Sequence, residues 1–319
     1  MSLYDKQPLD FTSLKTVPIR QRGGKVRLEN FARPYRKGDG LASWLDGLPR
    51  LLAAEGWRAL LQALEEAHGR SKPIIWGLGG HVIKCGLAPV LADLMARGYA
   101  TAFALNGAAA IHDFEIALAG ATSEDVEAAL PDGSFGTAEE TGREMSRAIA
   151  EADRDALGLG EALGRRLEAM ADAECGQASL LLAAWRRRTP VTVHVALGTD
   201  TLHTYPDTDP AALGRASHRD FRLFCALVAE LDHGGVYLNV GSAVILPEVF
   251  LKAVSVVRNL GRRLEQFTTA NLDFLNHYRP RVNVLERPHA RAGGRGIAIT
   301  GHHELMLPLL AATLIERQP

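Results

Sequence analysis

The 319-residue sequence has few cysteines and no long hydrophobic run. The most apolar late segment, residues 305–315, is too short to span a bilayer and contains Pro308. Residues 1–19 lack the apolar core of a signal peptide. Three cysteines that are far apart and form no CxxC pair argue against a disulfide framework or a cysteine-based zinc site, and are typical of a reducing compartment: Cys85, Cys175 and Cys225. We therefore expect a cytoplasmic protein with no membrane partner.

The sequence also lacks an excess of charge of either sign. Its 36 basic and 37 acidic residues give a net charge of −1, which argues against a surface for nucleic acid. Hydrophobic residues make up 47% of the chain, enough for a large core. No Ser/Pro-rich linker divides it. We expect a polar N-terminal arm over residues 1–43, which either wraps a neighbouring subunit or is a loose terminus, and a single α/β domain over residues 44–319.

The clearest organisation lies in residues 72–120. An apolar run at residues 73–76 predicts a buried strand, and the glycines that follow predict a tight turn into a helix over residues 82–97. A second strand over residues 100–105 ends at Asn106-Gly107, and another helix follows. This order is the βαβ arrangement of a parallel sheet, whose ligands sit beyond the carboxyl ends of the strands. The glycine loop at residues 77–81 lacks the third glycine of the dinucleotide-binding motif GxGxxG. A nucleotide is therefore only one candidate ligand, and the glycines could instead simply turn the strand into the helix.

The rest of the chain continues the alternation of strands and helices. Further strands are predicted over residues 190–197, 235–240, 263–268 and 296–300. A polar cluster follows each strand, and amphipathic helical segments separate the strands. The sequence predicts an α/β fold with a doubly wound, mostly parallel sheet of about six strands and helices on both faces.

The stretch over residues 77–118 resembles the deoxyhypusine synthase family. Gly80-His81 stands at that family's Ser-Asn loop, residues 105–109 stand at its Thr-Thr-Ala-Gly-Gly, and Asp113 falls on the Asp of its Glu-Glu-Asp. Later stretches resemble its Thr-Asp and Asn-Thr-Ala motifs. The resemblance implies a Rossmann-like fold, NAD as cofactor and a homotetramer or dimer. The cofactor-binding residues that it implies are Gly79, Gly80, His81, Asn106, Gly107, Ala108, Ala109, Asp113, Thr199, Asp200, Thr268, Thr269 and Ala270.

One functional lysine of that family has no counterpart here. The family forms an imine through a lysine in a Trp-Gly-Lys motif shortly before its last helix. Here that region reads ERPHAR over residues 286–291, and no lysine follows Lys252. An imidazole cannot replace an amine in Schiff-base chemistry. The resemblance therefore implies the fold and the NAD site, but not aminobutyl transfer to a protein lysine.

Histidines are the main candidates for chemistry, because histidine is the natural acid or base near neutral pH and a common metal ligand. Six lie at strand ends or in loops, together with carboxylates that could orient them: His81, His112, His194, His203, His302 and His303. The same residues could form a metal site or be ordinary hydrogen-bonded side chains, but no HExxH or compact ligand spacing supports a metal, so no metal ligand is assigned. The catalytic candidates are His194, His289, His303 and Glu304.

Three functions follow from these observations. The first is an NAD-using enzyme that acts on a small polar molecule, an amine or amino acid, without lysine-imine chemistry. The second is a metal-dependent hydrolase or lyase that uses the same histidines without NAD. The third is a ligand-binding protein that has kept the fold and lost catalysis. We expect the first, acting on a small-molecule substrate.

Overall fold

A computed structural model describes residues 3–172 and 174–318. At its centre lies one sheet of six strands, all parallel, in the order β3-β2-β1-β4-β5-β6. The strands are β1 (Ile74–Leu78), β2 (Ala102–Asn106), β3 (Val191–His194), β4 (Val236–Val240), β5 (Thr268–Asp273) and β6 (Arg295–Thr300). The predicted α/β class and doubly wound parallel sheet are confirmed.

Helices cover both faces of the sheet, as predicted. Side chains alternate along β1, so that Trp76 packs into the core on one face and Ile75 packs against α10 and α11 on the other. In the described residues no helix is long and apolar enough to cross a membrane. The helices are α1 (Leu41–Gly47), α2 (Leu52–Gly69), α3 (Gly80–Lys84), α4 (Ala88–Ala96), α5 (Gly107–Ala119), α6 (Val126–Ala129), α7 (Glu139–Arg154), α8 (Leu159–Met170), α9 (Leu180–Arg187), α10 (Pro210–Ala229), α11 (Ile245–Asn259) and α12 (His303–Glu316).

One predicted strand is wrong. Residues 263–268 were predicted to form a strand that ends near Thr268, whereas β5 begins at Thr268 and runs to Asp273. The polar residues of β5 indicated a loop, but they are buried and paired: the Asn239 side chain donates a hydrogen bond to Asn271 at 2.7 Å. The predicted helix over residues 82–97 is also divided into α3 and α4, because Gly86 lies between them in the left-handed conformation (φ 74°).

Residues 3–40 contact the domain at few points among the described residues. They run over the surface with little regular structure, and the N–H of Arg33 donates to the carbonyl of Gly47 at 2.8 Å at one such contact. Large apolar side chains of this segment, among them Phe11, are exposed. The division into an arm over residues 1–43 and a domain over residues 44–319 stays a prediction, and α1 begins at Leu41, inside the predicted arm.

The sheet order places the switch in winding direction between β1 and β4, the two central strands. All six strands are parallel, so their carboxyl ends meet at one edge of the sheet. In sheets of this kind ligands bind in the crevice at that edge and at that switch point. The loops after β1, β2, β3, β4 and β6 therefore define the region in which to look for a site.

Candidate active site at the carboxyl edge

The loops after β1 and β4 touch each other at the switch point. The N–H of Gly79 donates to the carbonyl of Val240 at 2.9 Å, and a Cβ built on Gly79 would collide with the carbonyl oxygen of Gly241. Gly241 itself has a left-handed conformation (φ 66°), and its N–H donates to Leu272. These contacts fix the positions of the carboxyl ends of β1, β4 and β5 relative to one another.

The loop after β1 also packs on the helix that follows β2. A Cβ on Gly80 would lie 3.0 Å from the Cβ of Ala108, in the first turn of α5. Asn106 caps that helix, because its side-chain oxygen accepts the N–H of Ala109 at 2.9 Å. The structure therefore brings together the β1 and β2 loops that the sequence analysis assigned to one crevice.

Asp200 joins the same region from the loop after β3. Its carboxylate packs directly on Gly107, where any Cβ would collide with it, and accepts the N–H of Ala196 at 2.7 Å. Burial raises the pKa of this carboxyl above its usual value, against the hydrogen bond from Ala196. Asp200 thus sits over the first turn of α5, and the neighbouring Thr199 faces the cavity described next.

A cavity of about 230 Å³ opens between these loops and the turn that follows α6. Its wall combines apolar residues such as Ile111 and Phe135 with titratable side chains. The titratable members are Lys84, His112, Glu115, Glu124, Asp200 and Tyr205. Carboxylates outnumber cationic side chains in this wall, so the cavity favours a positively charged guest.

His112, Thr122 and Glu115 form a hydrogen-bonded relay in the cavity wall. The hydroxyl of Thr122 donates to Glu115, and it lies 2.7 Å from Nδ1 of His112. Because that hydroxyl has one proton and gives it to the carboxylate, its oxygen must accept from Nδ1–H. His112 is thereby assigned the tautomer whose Nε2 carries the free lone pair, which is the form that a general base needs.

Glu115 is held in its charged form. Burial alone would raise its pKa, but the nearby His112 and the hydrogen bond from Thr122 outweigh burial and lower it. Thr141 donates to the other carboxylate oxygen at 3.3 Å. Across the cavity, burial raises the pKa of Tyr205 to about 12, and the charges of Glu115 and Glu124 act in the same direction. The phenol therefore stays protonated and can donate a hydrogen bond to a guest.

Asp113, which the resemblance implied as a cofactor ligand, points away from this cavity. It is fully buried and accepts the hydroxyl of Ser179 at 2.6 Å and the N–H groups of Leu180 and Leu181 at 2.7 and 2.9 Å. These are the first residues of α9, so both carboxylate oxygens cap that helix. Asp113 joins two helices, and its complete burial keeps it from contact with a cofactor in the crevice.

His194 is the last residue of β3, but it lies in the core under α10. Its Nε2 is 2.9 Å from the Thr192 hydroxyl, and its ring packs edge-on against Phe224 at 5.2 Å. Burial lowers the pKa of His194 to about 3. The imidazole is therefore neutral near pH 7 and badly placed to take up a proton, which does not suit the catalytic role assigned to it.

The amino-terminal half of β5 contains Thr268, Thr269 and Ala270. It lies at the edge of the sheet opposite the crevice. His289 is with them, since its Nε2 lies 2.8 Å from the Thr269 hydroxyl. Thr269 is four residues before Asp273, which places it about 13 Å from the carboxyl end at 3.3 Å per residue. These four residues therefore do not join the crevice residues, because the strand begins later than the sequence indicated.

His303 and Glu304 begin α12 beside the loop after β1. His303 is fully buried, and its Nε2–H donates to the carbonyl of Leu272 at 3.1 Å. Its ring lies 5.5 Å from that of His81. Glu304 is half-exposed, and one oxygen lies 3.7 Å from the sulfur of Cys85. Burial raises the pKa of that thiol, and Glu304 raises it further.

Sequence reasoning missed most of the cavity wall. His112 was one of the six candidate histidines but not one of the catalytic residues, and Lys84, Glu115, Glu124 and Tyr205 were not considered as site residues. The spacing of His112 and Glu115, one helical turn apart directly after a strand, is the signal that could have found them. The spacing of His81 and Cys85, four residues apart on α3, was likewise present in the sequence.

Comparisons with known proteins support the fold. No protein-family model matches the chain, and no curated protein does. Among solved structures, unliganded AgrE matches with a TM-score of 0.55 at 14% identity, over 82% of this chain and 32% of that one. A complex of AgrE with ornithine and NAD+ matches with a TM-score of 0.53 at 14% identity and the same coverage. This chain therefore spans about a third of the AgrE chain.

A protein from Entamoeba histolytica that is provisionally assigned as a deoxyhypusine synthase matches over nearly its whole length. The TM-score is 0.53 at 11% identity, over 90% of this chain and 96% of that one. At such identities the similarity establishes a shared Rossmann-like α/β fold. The predicted relationship to deoxyhypusine synthases is thus a distant one, at the level of the fold.

Proposed function

We propose that this protein is an enzyme that binds NAD along the carboxyl edge of its sheet and acts on a small amine or amino acid. The observation that carries the proposal is the 230 Å³ cavity at that edge, with the His112 relay in its wall. Lysine-imine chemistry is not part of the proposal, because the chain has no lysine after Lys252.

The size and charge of the cavity define the substrate class. The cavity of about 230 Å³ is larger than an apolar cavity of about 150 Å³ that holds benzene, so it has room for a molecule as small as an amino acid. Three carboxylates line the cavity, those of Glu115, Glu124 and Asp200. Among the described residues of its wall, Lys84 is the one lysine or arginine. A guest with an ammonium group is therefore favoured.

The relay supplies a positioned base. His112 Nε2 accepts a proton from the substrate's ammonium group, and Thr122 and Glu115 stabilise the resulting imidazolium through Nδ1–H. The product of that step is the neutral amine, which is the reactive form. Tyr205 lies in the same wall and donates a hydrogen bond to the substrate.

NAD fits part of this edge. Asp200 covers the first turn of α5 at Gly107, so a pyrophosphate there would face a carboxylate. The loop at Gly79 and Gly80 is the better place for the phosphates, because Lys84 follows it on α3. When bound, NAD would supply a hydride acceptor. The similar fold of AgrE, which was solved with ornithine and NAD+, supports the choice of NAD as a ligand.

Calorimetry with NAD+ and with ornithine tests the proposal. The intact protein is expected to bind both, and Glu115→Gln is expected to weaken ornithine binding while NAD+ binding is kept. The control is Glu127→Gln, an exposed change on α6 outside the cavity wall. Binding of neither ligand to the intact protein, or equal ornithine affinity in both variants, would contradict it.

The N-terminal arm supports a homo-oligomer as a further part of this proposal. Between residues 3 and 40 it exposes many large apolar side chains, including Leu9, Phe11 and Val17. Burying them against a second copy of the chain would remove this surface from water. Light scattering is expected to give a multiple of the 34.5 kDa chain mass, and a mass near that of one chain would contradict it.

A further inference from the structure

Three side chains that share no sequence motif meet beside the loop after β1. They are His81 and Cys85, from α3 and its end, and Glu304, from the first turn of α12. The sulfur of Cys85 lies 3.4 Å from Nε2 of His81 and 3.7 Å from Oε2 of Glu304. All three potential ligand atoms lie within 4.8 Å of one another. From this arrangement we propose a binding site for a divalent transition-metal ion of the zinc class.

The spacing of the ligand atoms matches a tetrahedral centre. Zinc binds sulfur at about 2.3 Å and nitrogen or carboxylate oxygen at about 2.0–2.1 Å, so two ligand atoms on one ion lie about 3.5 Å apart. Both sulfur distances are close to that value. The donor set, one thiolate, one imidazole and one carboxylate, suits zinc or cobalt and does not suit magnesium or calcium.

Two independent features of the fold hold these ligands in place. His81 and Cys85 lie four residues apart on consecutive turns of one helix, so their side chains project from the same face. Gly86 ends that helix in the left-handed conformation. Glu304 is fixed because α12 is anchored by the preceding residue, the fully buried His303, which donates to the carbonyl of Leu272.

His81 and Glu304 are exposed and Cys85 is half-buried, but neighbouring side chains limit how far the ligands can move. The His81 ring is bordered by His303 at 5.5 Å and by Phe274 at 5.7 Å, which limits its orientation. The second oxygen of Glu304 lies 3.8 Å from Nδ1 of His302, too far for a hydrogen bond but close enough for a charged His302 to attract the carboxylate. Three protein ligands leave a fourth position open, and open positions are typical of zinc ions that bind a water or a substrate.

This site goes beyond the proposed function and does not depend on it. Lys84 faces the amine cavity, whereas its neighbour Cys85 belongs to the metal cluster. Consecutive helical residues point about 100° apart. Loss of the metal and loss of amine binding are therefore separate measurements.

Cobalt binding to the full chain, purified without a histidine tag, tests the site. We expect one Co2+ per chain, with a thiolate-to-cobalt charge-transfer absorption and the visible bands of a tetrahedral ion. Cys85→Ser is expected to abolish the charge-transfer absorption, and His81→Gln and Glu304→Gln to weaken binding. The matched control is Cys175→Ser, another partly exposed cysteine, which should keep the full spectrum.

A thermal melt with and without Zn2+ keeps the test valid if a variant is less stable. Zinc is expected to raise the melting temperature of the intact protein and of Cys175→Ser, and to leave that of Cys85→Ser unchanged. A hydrogen-bonded trio that binds no ion would give no charge-transfer absorption in the intact protein. That result, or loss of the absorption in Cys175→Ser, would overturn the proposal.

Discussion

Gly79 and Gly241 place their backbones in direct contact where β1 and β4 end. The N–H of Gly79 reaches the carbonyl of Val240 at 2.9 Å, and there is no room for a Cβ on Gly79 against the carbonyl of Gly241. Gly79 has a φ of −84°, which any residue adopts. Space, and not backbone conformation, therefore requires glycine at the switch point of the sheet.

Gly79→Ala is expected to lower the free energy of unfolding by about 1–3 kcal/mol or more, because the added methyl group meets backbone atoms on a central strand. Urea unfolding measures the change. The control is Gly214→Ala, at an exposed position of α10 with open space around it. That change should stabilise the protein by about 0.5–1 kcal/mol. Equal effects of the two substitutions would contradict the packing argument.

Asp113→Ala is expected to destabilise the whole fold and not to act on a cofactor specifically. The change leaves the buried Ser179 hydroxyl and two backbone N–H groups of α9 unpaired, at about 1–3 kcal/mol each. Thermal unfolding should show a large loss. The exposed control Asp125→Ala removes one cap of the short α6 and should cost about 1 kcal/mol. A stable Asp113→Ala variant that has lost only NAD+ binding would show that the capping role is wrong.

The sequence predicted the central strands because burial on both faces leaves a continuous apolar run, as at β1. It misplaced β5, whose polar residues pair with side chains of the neighbouring strand, for example Asn239 with Asn271. That pairing joins residues 32 positions apart. Local periodicity carries no information about it, so a polar buried strand has the pattern of a loop.

In the candidate site too, contacts between residues distant in sequence could not be predicted from local patterns. Asp113 was correctly expected in the helix after β2, but its partners lie 66–68 residues away on α9, so its direction was not predictable. The metal cluster combines a local pair, His81 and Cys85, with Glu304, which is 219 residues from Cys85. Residues that a site gathers from distant loops become visible only once the strand order is known.

Tyr237→Phe is expected to keep or raise stability. Its hydroxyl is buried against Gly77, with no hydrogen-bond partner among the described residues. A buried unpaired hydroxyl costs about 1–3 kcal/mol, and phenylalanine keeps the stacking on Phe250 at 3.9 Å. Urea unfolding of Tyr237→Phe and of Tyr237→Leu, which loses the stacking, separates the two contributions. A clear loss of stability in Tyr237→Phe would mean that the hydroxyl has a partner.

Asp220 should make the stability of this protein depend on pH between about 4 and 7. Burial raises its pKa from 3.8 to about 7, although the N–H groups of Gly160 and Val193 donate to it. The folded state therefore binds a proton that the unfolded state releases, so the free energy of unfolding falls as the pH rises through this window. Asp220→Asn should flatten that fall in urea unfolding. Asp153→Asn is the control, because hydrogen bonding to Arg215 lowers the pKa of Asp153 and keeps its titration below the window. An unchanged slope in Asp220→Asn would mean that the buried carboxyl is already ionised in the fold.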